Sequence, residues 1–260
     1  MKKERKVTFN EFAKEYEKFR PLYPKQLYFD IIKYTNLNKK DKILEIGCGT
    51  GKATEGFVDL YYKNITCVEL GSELAKLTRE KFKYENTIEV HNSSFEEWIE
   101  ENNKYDLAIS ATAFHFINPD VGYSKVAKLL KTKGKLAFFW TIHVQSYDKL
   151  YSEIREIYRK HAPNLDDTLM NSHEKYIKDI KNRINKTGLF GDIIVKEYTW
   201  EDIYTSDEYI NLLNTNSKHR LLAEKDKVLL FEGIRSAINN YGGVIKKQQL
   251  VALFLGTKLQ

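Results

Sequence analysis

The first 145 residues predict an open, mostly parallel α/β sheet, on three observations. Short β-rich runs alternate with stretches of helical periodicity, the signature of βαβ units. The first such run leads directly into a glycine-rich turn, and a helical pattern follows that turn. Only 13 Gly and 4 Pro occur in 260 residues, which leaves little chain for flexible linkers and favours one domain over residues 1–260.

The elements read as follows. Strands are expected over 42–46, 65–70, 87–91, 106–110 and 135–141. Helices are expected over 52–61, 72–83, 95–101 and 120–130, the last opened by Asn118 as cap with Pro119 at the first helical position. Beyond residue 145 the pattern turns helical. Tyr151, Ile154, Tyr158 and His161 recur at helical spacing, as do Tyr176, Ile177, Ile180 and Ile184, which end at the stop Thr187-Gly188. A strand follows over 193–198. Thr205 and Glu208 have capping-box spacing, so a helix starts there. Leu230, Ile234, Ile238 and Tyr241 form a further stripe, ended by Gly242-Gly243, and 249–255 is a last strand.

Composition excludes several classes. A hydrophobic content of 42% with 30% charged residues suits a globular chain rather than a disordered one. The formal charge is +6, but Lys and Glu are interleaved, and the one dense basic cluster lies at 1–6, where a solvated tail accounts for it. A nucleic-acid partner is therefore not expected. The two cysteines, Cys48 and Cys67, have neither CxxC nor metal-ligand spacing, which points to a reducing compartment without disulfides or bound metal. The N-terminus lacks an apolar signal region, and the longest apolar run, 136–140, is too short to span a bilayer, so a cytoplasmic protein without membrane contact is expected.

The glycine turn is Gly47-Cys48-Gly49-Thr50-Gly51, placed between a strand and a helix. Glycines let a backbone turn sharply and approach a ligand closely, and exposed amides at a helix start make a polar floor. A phosphate-binding P-loop needs G-x-x-x-x-G-K-[ST]. Here Ile46 stands at the first glycine position and Ala53 follows Lys52, so both requirements fail. A dinucleotide fingerprint needs G-x-G-x-x-G, and Lys52 occupies its third glycine position. An acidic residue at the end of the next strand, Glu69, is placed to accept hydrogen bonds from ribose hydroxyls.

The remaining pattern, Glu45-x-Gly47-x-Gly49-x-Gly51, resembles the first motif of the class I (Rossmann-like) methyltransferases that use S-adenosylmethionine (SAM). The resemblance covers residues 9–145. It implies that Glu45, Gly47, Cys48, Gly49, Thr50 and Gly51 pass under the amino-acid end of SAM. It implies further that Glu69 and Leu70 meet the ribose, and Ser94 and Phe95 the adenine, although Ser94 and Glu97 also have capping-box spacing. The run 105–116 is similar to the family's fourth motif. There Ala111 and Thr112 would allow close approach of the methionine part, and His115 would orient SAM, touch substrate or serve a purely structural role.

Residues 9–24, with Tyr16, Arg20, Pro21, Tyr23 and Pro24, resemble the opening of small-molecule methyltransferases similar to trans-aconitate methyltransferase. That likeness implies a helical lid over residues 1–36 with Tyr16 and Arg20 at the cofactor, though the same aromatic spacing serves core packing. The family also implies a doubly wound seven-stranded sheet of order 3-2-1-4-5-7-6, with the last strand antiparallel, and a helical substrate cap within 145–245.

The chemistry implied is methyl transfer from SAM, leaving S-adenosylhomocysteine (SAH), to a small-molecule acceptor, with no metal. Tyr16, Phe116 and Trp140 offer aromatic faces for the sulfonium. His143, after the fifth strand, is a candidate base beside His115. By analogy the acceptor carries a carboxylate, for which Arg155, Arg159, Arg183 and Arg220 are candidate partners. An RNA methyltransferase, a SAM-binding protein without turnover and, more distantly, an NAD-dependent oxidoreductase stay open as alternatives. The oligomeric state is expected to be monomer or homodimer.

Overall fold

Strand β1 (Ile43–Ile46) is apolar except for Glu45, and all four residues are buried. A run of that kind needs cover on both faces, which a parallel sheet flanked by helices provides. The computed structural model of the protein describes residues 12–169, 171–191 and 193–259. The basic cluster at 1–6, with Phe9, Asn10 and Glu11 of the N-terminal motif, lies outside them.

β1 pairs in parallel with β2 (Ile65–Glu69) on one side and β4 (Tyr105–Ala111) on the other. β3 (Ile88–Asn92) extends the sheet beyond β2, and β5 (Leu130–His143) extends it beyond β4. The C-terminal strand β7 (Val244–Thr257) runs antiparallel between β5 and β6 (Ile194–Thr205). The order is therefore β3-β2-β1-β4-β5-β7-β6, as the resemblance implied. The chain reverses direction across the sheet at β1 and β4, and a crevice opens at such a point beyond the strands' carboxyl ends. The glycine turn lies there.

Helices cover both faces. On one side α2 (Lys25–Thr35) and α3 (Lys52–Val58) place Leu27, Ile31 and Phe57 against Ile43, Leu107 and Phe139. On the other, α5 (Pro119–Leu129) and α7 (His173–Asn185) place Val126, Ile180 and Ile184 against Leu44, Phe138 and Phe254. α2 is thus a core helix, whereas the shorter α1 (Ala13–Phe19) buries only Ala13. α4 (Ser72–Lys81) follows β2. A third cluster lies past the sheet's end. There α6 (Lys149–His161), α8 (Ser206–Asn214) and α10 (Glu224–Asn240) bring Ile154, Leu212 and Ile234 together over Ile245, with the short α9 (Ser217–Arg220) beside them. α7 and β6 fall within 145–245 yet pack with the sheet, so the separate helical layer is α6 with α8–α10. No described helix is long and apolar enough to cross a membrane.

Two expectations differ from the structure. The helix expected over 95–101 is a single turn. Ser94 does cap the turn, accepting the Glu97 N–H on Oγ at 3.2 Å, and its hydroxyl donates to Glu97 Oε2 at 2.9 Å. The Lys125 ammonium, however, takes the carbonyls of Phe95 (2.6 Å), Glu96 (3.2 Å) and Trp98, so they serve a distant side chain instead of continuing a helix. The second difference is length: β5, β6 and β7 extend well beyond 135–141, 193–198 and 249–255. The β6–β7 ladder runs to Thr205 opposite Val244 through charged residues such as Asp202 and Lys247, whose low β-propensity hides them from a sequence reading.

Gly56 inside α3 has a steric reason to be glycine. A Cβ there would lie 2.0 Å from Tyr28 Cζ, and the Tyr28 ring is held edge-on against Phe57 with centroids 5.2 Å apart. Gly→Ala normally stabilises a helix. Here Gly56→Ala is expected to destabilise the fold by about 1–3 kcal/mol, measured as a lowered urea midpoint; an unchanged or raised midpoint would refute the packing assigned to Tyr28.

Candidate functional site

The site is built on the turn that leaves β1. Gly47 and Gly49 adopt positive φ, 71° and 59°. A Cβ on Gly47 would sit 2.5 Å from Ala113 Cβ, whereas one on Gly49 would meet nothing within 4 Å, because that backbone borders open space. Glu69 at the end of β2 clasps the turn. Its Oε2 accepts the Gly49 N–H at 2.9 Å and its Oε1 the Gly71 N–H at 2.8 Å. Thr78 Oγ1 donates to the Gly49 carbonyl at 2.8 Å. Burial pushes the Glu69 carboxyl up in pKa, against the opposing effect of those amides.

Glu45 lies beneath the turn and reaches neither cavity described below. It is fully buried, and its Oε2 accepts the Thr54 hydroxyl at 2.6 Å while Oε1 has no hydrogen-bond partner. Burial raises its pKa to about 8; the Thr54 hydrogen bond opposes this and the nearby Glu69 adds to it. Glu45 is therefore uncharged at neutral pH.

Two cavities adjoin at the turn. The smaller, of about 110 Å³, lies past β2 and β3 and is lined by Glu69, Leu70, Ser94, Phe95, Phe116 and Ile117, among others. The larger, of about 370 Å³, lies between the sheet's carboxyl end and the helical layer of α6 and α8–α10. Tyr16, Gly47, Gly49, Ala111 and Thr112 line both. Thr112 has φ 55°, rare for a β-branched residue, and its turn is pinned from two sides. Its Oγ1 accepts the Thr141 N–H at 3.1 Å and is hydrogen-bonded to the Tyr23 hydroxyl at 3.2 Å.

α1 closes over this junction. Glu17 pairs with Lys81 of α4 at 2.5 Å and with Lys52 of α3 at 3.6 Å, which carries Tyr16 to the cavities.

On the far wall of the larger cavity Asp167 joins two helical-layer and strand groups. Its Oδ2 lies 2.9 Å from His143 Nε2, and its Oδ1 accepts Arg155 Nε at 2.7 Å. Burial alone would raise the Asp167 carboxyl, but hydrogen bonds and charge from His143 and Arg155 outweigh it and hold the pKa at about 2. His219 is buried there too. Its Nε2 lies 2.7 Å from the Tyr158 hydroxyl, and its pKa is depressed to about 4 by burial with Arg20 and Lys218 nearby, so it is neutral.

The chain is similar to several known proteins. The family described as a methyltransferase domain matches residues 43–134, from the start of β1 into β5. An uncharacterized methyltransferase of Schizosaccharomyces pombe is 25% identical over 228 residues, covering 85% of this chain and 87% of its own. A malonyl-[acyl-carrier protein] O-methyltransferase of Acetivibrio thermocellus is 32% identical over 142 residues; the match takes in 53% of this chain and 49% of that one, about half of each. In fold, the chain resembles Haemonchus contortus phosphoethanolamine N-methyltransferase 2, solved with phosphomonomethylethanolamine and SAH. The TM-score is 0.57 at 16% identity, over 96% of this chain and 58% of that one. Residues 43–134 therefore match a methyltransferase domain, and the relatives and fold neighbours support a SAM-dependent methyltransferase of class I.

In this methyltransferase the cavities gather most of the residues expected at the cofactor: Tyr16, Arg20, Gly47, Cys48, Gly49, Thr50, Glu69, Leu70, Ser94, Phe95, Ala111 and Thr112. Three fall elsewhere. Glu45 is under the turn, and Gly51 faces Phe82, whose ring a Cβ would meet at 2.7 Å. His115 accepts the Trp140 indole N–H at 3.2 Å and stacks on Phe116, lining neither cavity. Trp140 is itself buried between Phe138 and Phe254, so its face is closed to a sulfonium. Of the four candidate arginines only Arg155 lines the larger cavity, and it is committed to Asp167. Arg159 pairs with Asp166 and Glu156, while Arg183 and Arg220 line neither cavity. Asp167, Lys247 and Gln249 escaped the sequence reading. The alternation Ile245, Lys247, Gln249, Val251 was the one signal that could have placed the latter two on a common strand face. Among the described residues no group of three or more His, Cys, Asp and Glu side chains is arranged to hold a metal ion.

The methyltransferase's Glu45 makes a pH prediction. Its folded pKa of about 8 exceeds the ordinary 4.5, so the folded state binds more protons between those values, and this stability is lost as pH rises through 8. Glu45→Gln removes the titration. Relative to wild type, the variant is expected to gain more than about 1 kcal/mol between pH 5 and pH 8.5, read from urea midpoints; parallel pH profiles would show that Glu45 is already ionised.

Proposed function

We propose that this chain methylates a small-molecule hydroxyl or amine bound in the larger cavity, with His143 accepting the proton that the acceptor loses. The observation that carries the reading is the position of His143. It stands at the carboxyl end of β5, on the wall that the larger cavity shares with Thr112 and Thr141, and the Asp167 carboxylate holds its ring.

The residues present fit SAM. Gly49 leaves its main chain open to the cavity, as a cradle requires, and Glu69 stands at the junction with the smaller cavity. In this reading Glu69, Leu70, Ser94 and Phe95 hold the nucleoside. Gly47, Gly49, Ala111 and Thr112 line the path of the amino-acid end, and Tyr16 and Arg20 cover it from α1 and the residue after it. Glu69 then serves twice, since the carboxylate offered to the ribose also clasps the turn. When bound, SAM supplies a methyl group already activated on a sulfonium.

The protein's part is alignment, water exclusion and one proton. α1, tied down by Glu17, acts as the lid, and α6 with α8–α10 forms the cap. Holding the acceptor in line is worth on the order of 7–11 kcal/mol in favourable cases. Tyr16 and Phe116 present aromatic surface to positive charge. Asp167 fixes the imidazole through Nε2, which leaves Nδ1 to face the acceptor's proton. Because Asp167 stays ionised well below neutral pH, it stabilises the imidazolium as it forms.

The test has two stages. Calorimetry should show SAH binding in the micromolar range or tighter, weakened at least tenfold by Glu69→Gln. Labelled SAM is then offered with a panel of small hydroxy acids, phenols and amines. His143→Gln is expected to cut transfer roughly 10²–10⁴-fold while leaving SAH affinity within twofold. Failure to bind SAH would sink the cofactor site; binding without transfer to any panel member would favour a SAM-binding protein; unchanged transfer in His143→Gln would remove the base.

A further inference from the structure

The larger cavity carries two cations whose anion is missing from the described residues. Lys247 sits on β7 with Gln249 on the same strand face, and both line the cavity. No hydrogen bond or ion pair within 4 Å engages the Lys247 ammonium among the described residues, although the residue is partly buried. The acids near it are already occupied. Asp202, its register partner on β6, receives the Trp200 indole N–H on Oδ1 at 3.1 Å, and the Tyr204 hydroxyl and Gln249 amide on Oδ2 at 3.1 and 3.0 Å. Asp167 is shared between His143 and Arg155.

Arg20, which also lines this cavity, is in a similar position. One terminal nitrogen makes a single long bond of 3.4 Å to the Thr215 carbonyl, the guanidinium lies over the Tyr16 ring at 5.4 Å from its centroid, and among the described residues its Nε is buried without a hydrogen-bond partner. Burial, with the charge of Arg20 nearby, lowers the Lys247 pKa to about 8, against the weaker opposing pull of Asp202 and Asp167. Partly buried cations without a paired carboxylate are costly, and proteins otherwise pair or neutralise them. The arrangement makes sense if the missing partner arrives with a ligand. A carboxylate suits it, since it can accept from the Lys247 ammonium and offset the charge that Arg20 adds nearby.

We infer that Lys247 binds a carboxylate carried by the methyl acceptor. This rests on the acceptor occupying the larger cavity, as proposed above. The carboxylate is then an anchor at the β7 wall, and the atom to be methylated is a separate group beside His143. Lys247 thereby selects organic acids over neutral compounds of the same shape. The cofactor's own α-carboxylate is the other carboxylate within the site, and the experiment separates the two sources.

Wild-type protein saturated with SAH is titrated calorimetrically with malonate, succinate, glutarate and adipate, and with the matching diamides. At least one diacid is expected to bind tenfold or more tightly than its diamide, a comparison that needs no variant. Lys247→Met is expected to abolish that preference while keeping SAH affinity within twofold, and Lys247→Arg to restore most of it. Should Lys247→Met fold poorly, Lys247→Gln serves with the same expectation. Diacids that bind no better than diamides overturn the inference. So does a Lys247→Met variant that loses SAH affinity tenfold, since the anion held would then be the cofactor's own. A wild-type protein that fails to bind SAH at all removes the cofactor reading itself, and this inference with it.

Discussion

Both oxygens of the Glu69 carboxylate are taken by main-chain amides, those of Gly49 and Gly71, and the shape of the site depends on that clasp. It ties the turn after β1 to the end of β2 and stops the three positive-φ glycines from collapsing into the crevice. The carboxylate is buried, so its ionised form depends on those two N–H groups and on the Leu70 amide. Without the clasp, the exposed Gly49 backbone would lose its fixed position between the two cavities. A neutral Glu45 directly below avoids setting a second negative charge under the first.

Around that clasp the site divides by chain segment. The first half of the chain builds the wall nearest the glycine turn from strand ends, which the sheet's hydrogen bonds hold rigidly. The second half supplies the opposite wall from helices packed in a core of their own. β5 and β7 join the two halves. Their antiparallel register sets His143 opposite Gln249, so the strand bearing the proposed base and the strand bearing Lys247 emerge side by side at the cavity. Asp167 reaches the same place from a short turn after α6, and its ionic contacts couple the cap to the sheet.

The sequence was most legible where one physical rule dominated. Alternate glycines between a buried run and a helical pattern leave few structural options, and the turn, its strand and Glu69 stand where they were expected. The capping signals at Asn118, Thr205 and Ser94 are all satisfied by the side chains named. At Ser94 the local signal was right and the element wrong, because a helix also needs its carbonyls, and Lys125, some thirty residues away in sequence, claims them. His115 shows a related gap. Its motif resemblance left a site role and a structural role both open, and in the fold it accepts the Trp140 indole N–H and lines neither cavity.

What the sequence determined by itself was the sheet's first half and the chemistry of its turn, since these follow from periodicity and from the backbone freedom of glycine, both local properties. Which charges are paired was decided only by tertiary structure. Arg155, Arg159, Lys247 and Arg20 are equivalent as letters. The fold gives the first two carboxylate partners and leaves the last two facing a cavity without one among the described residues. Charge pairing depends on distances between segments far apart in the chain, and no local pattern encodes those distances.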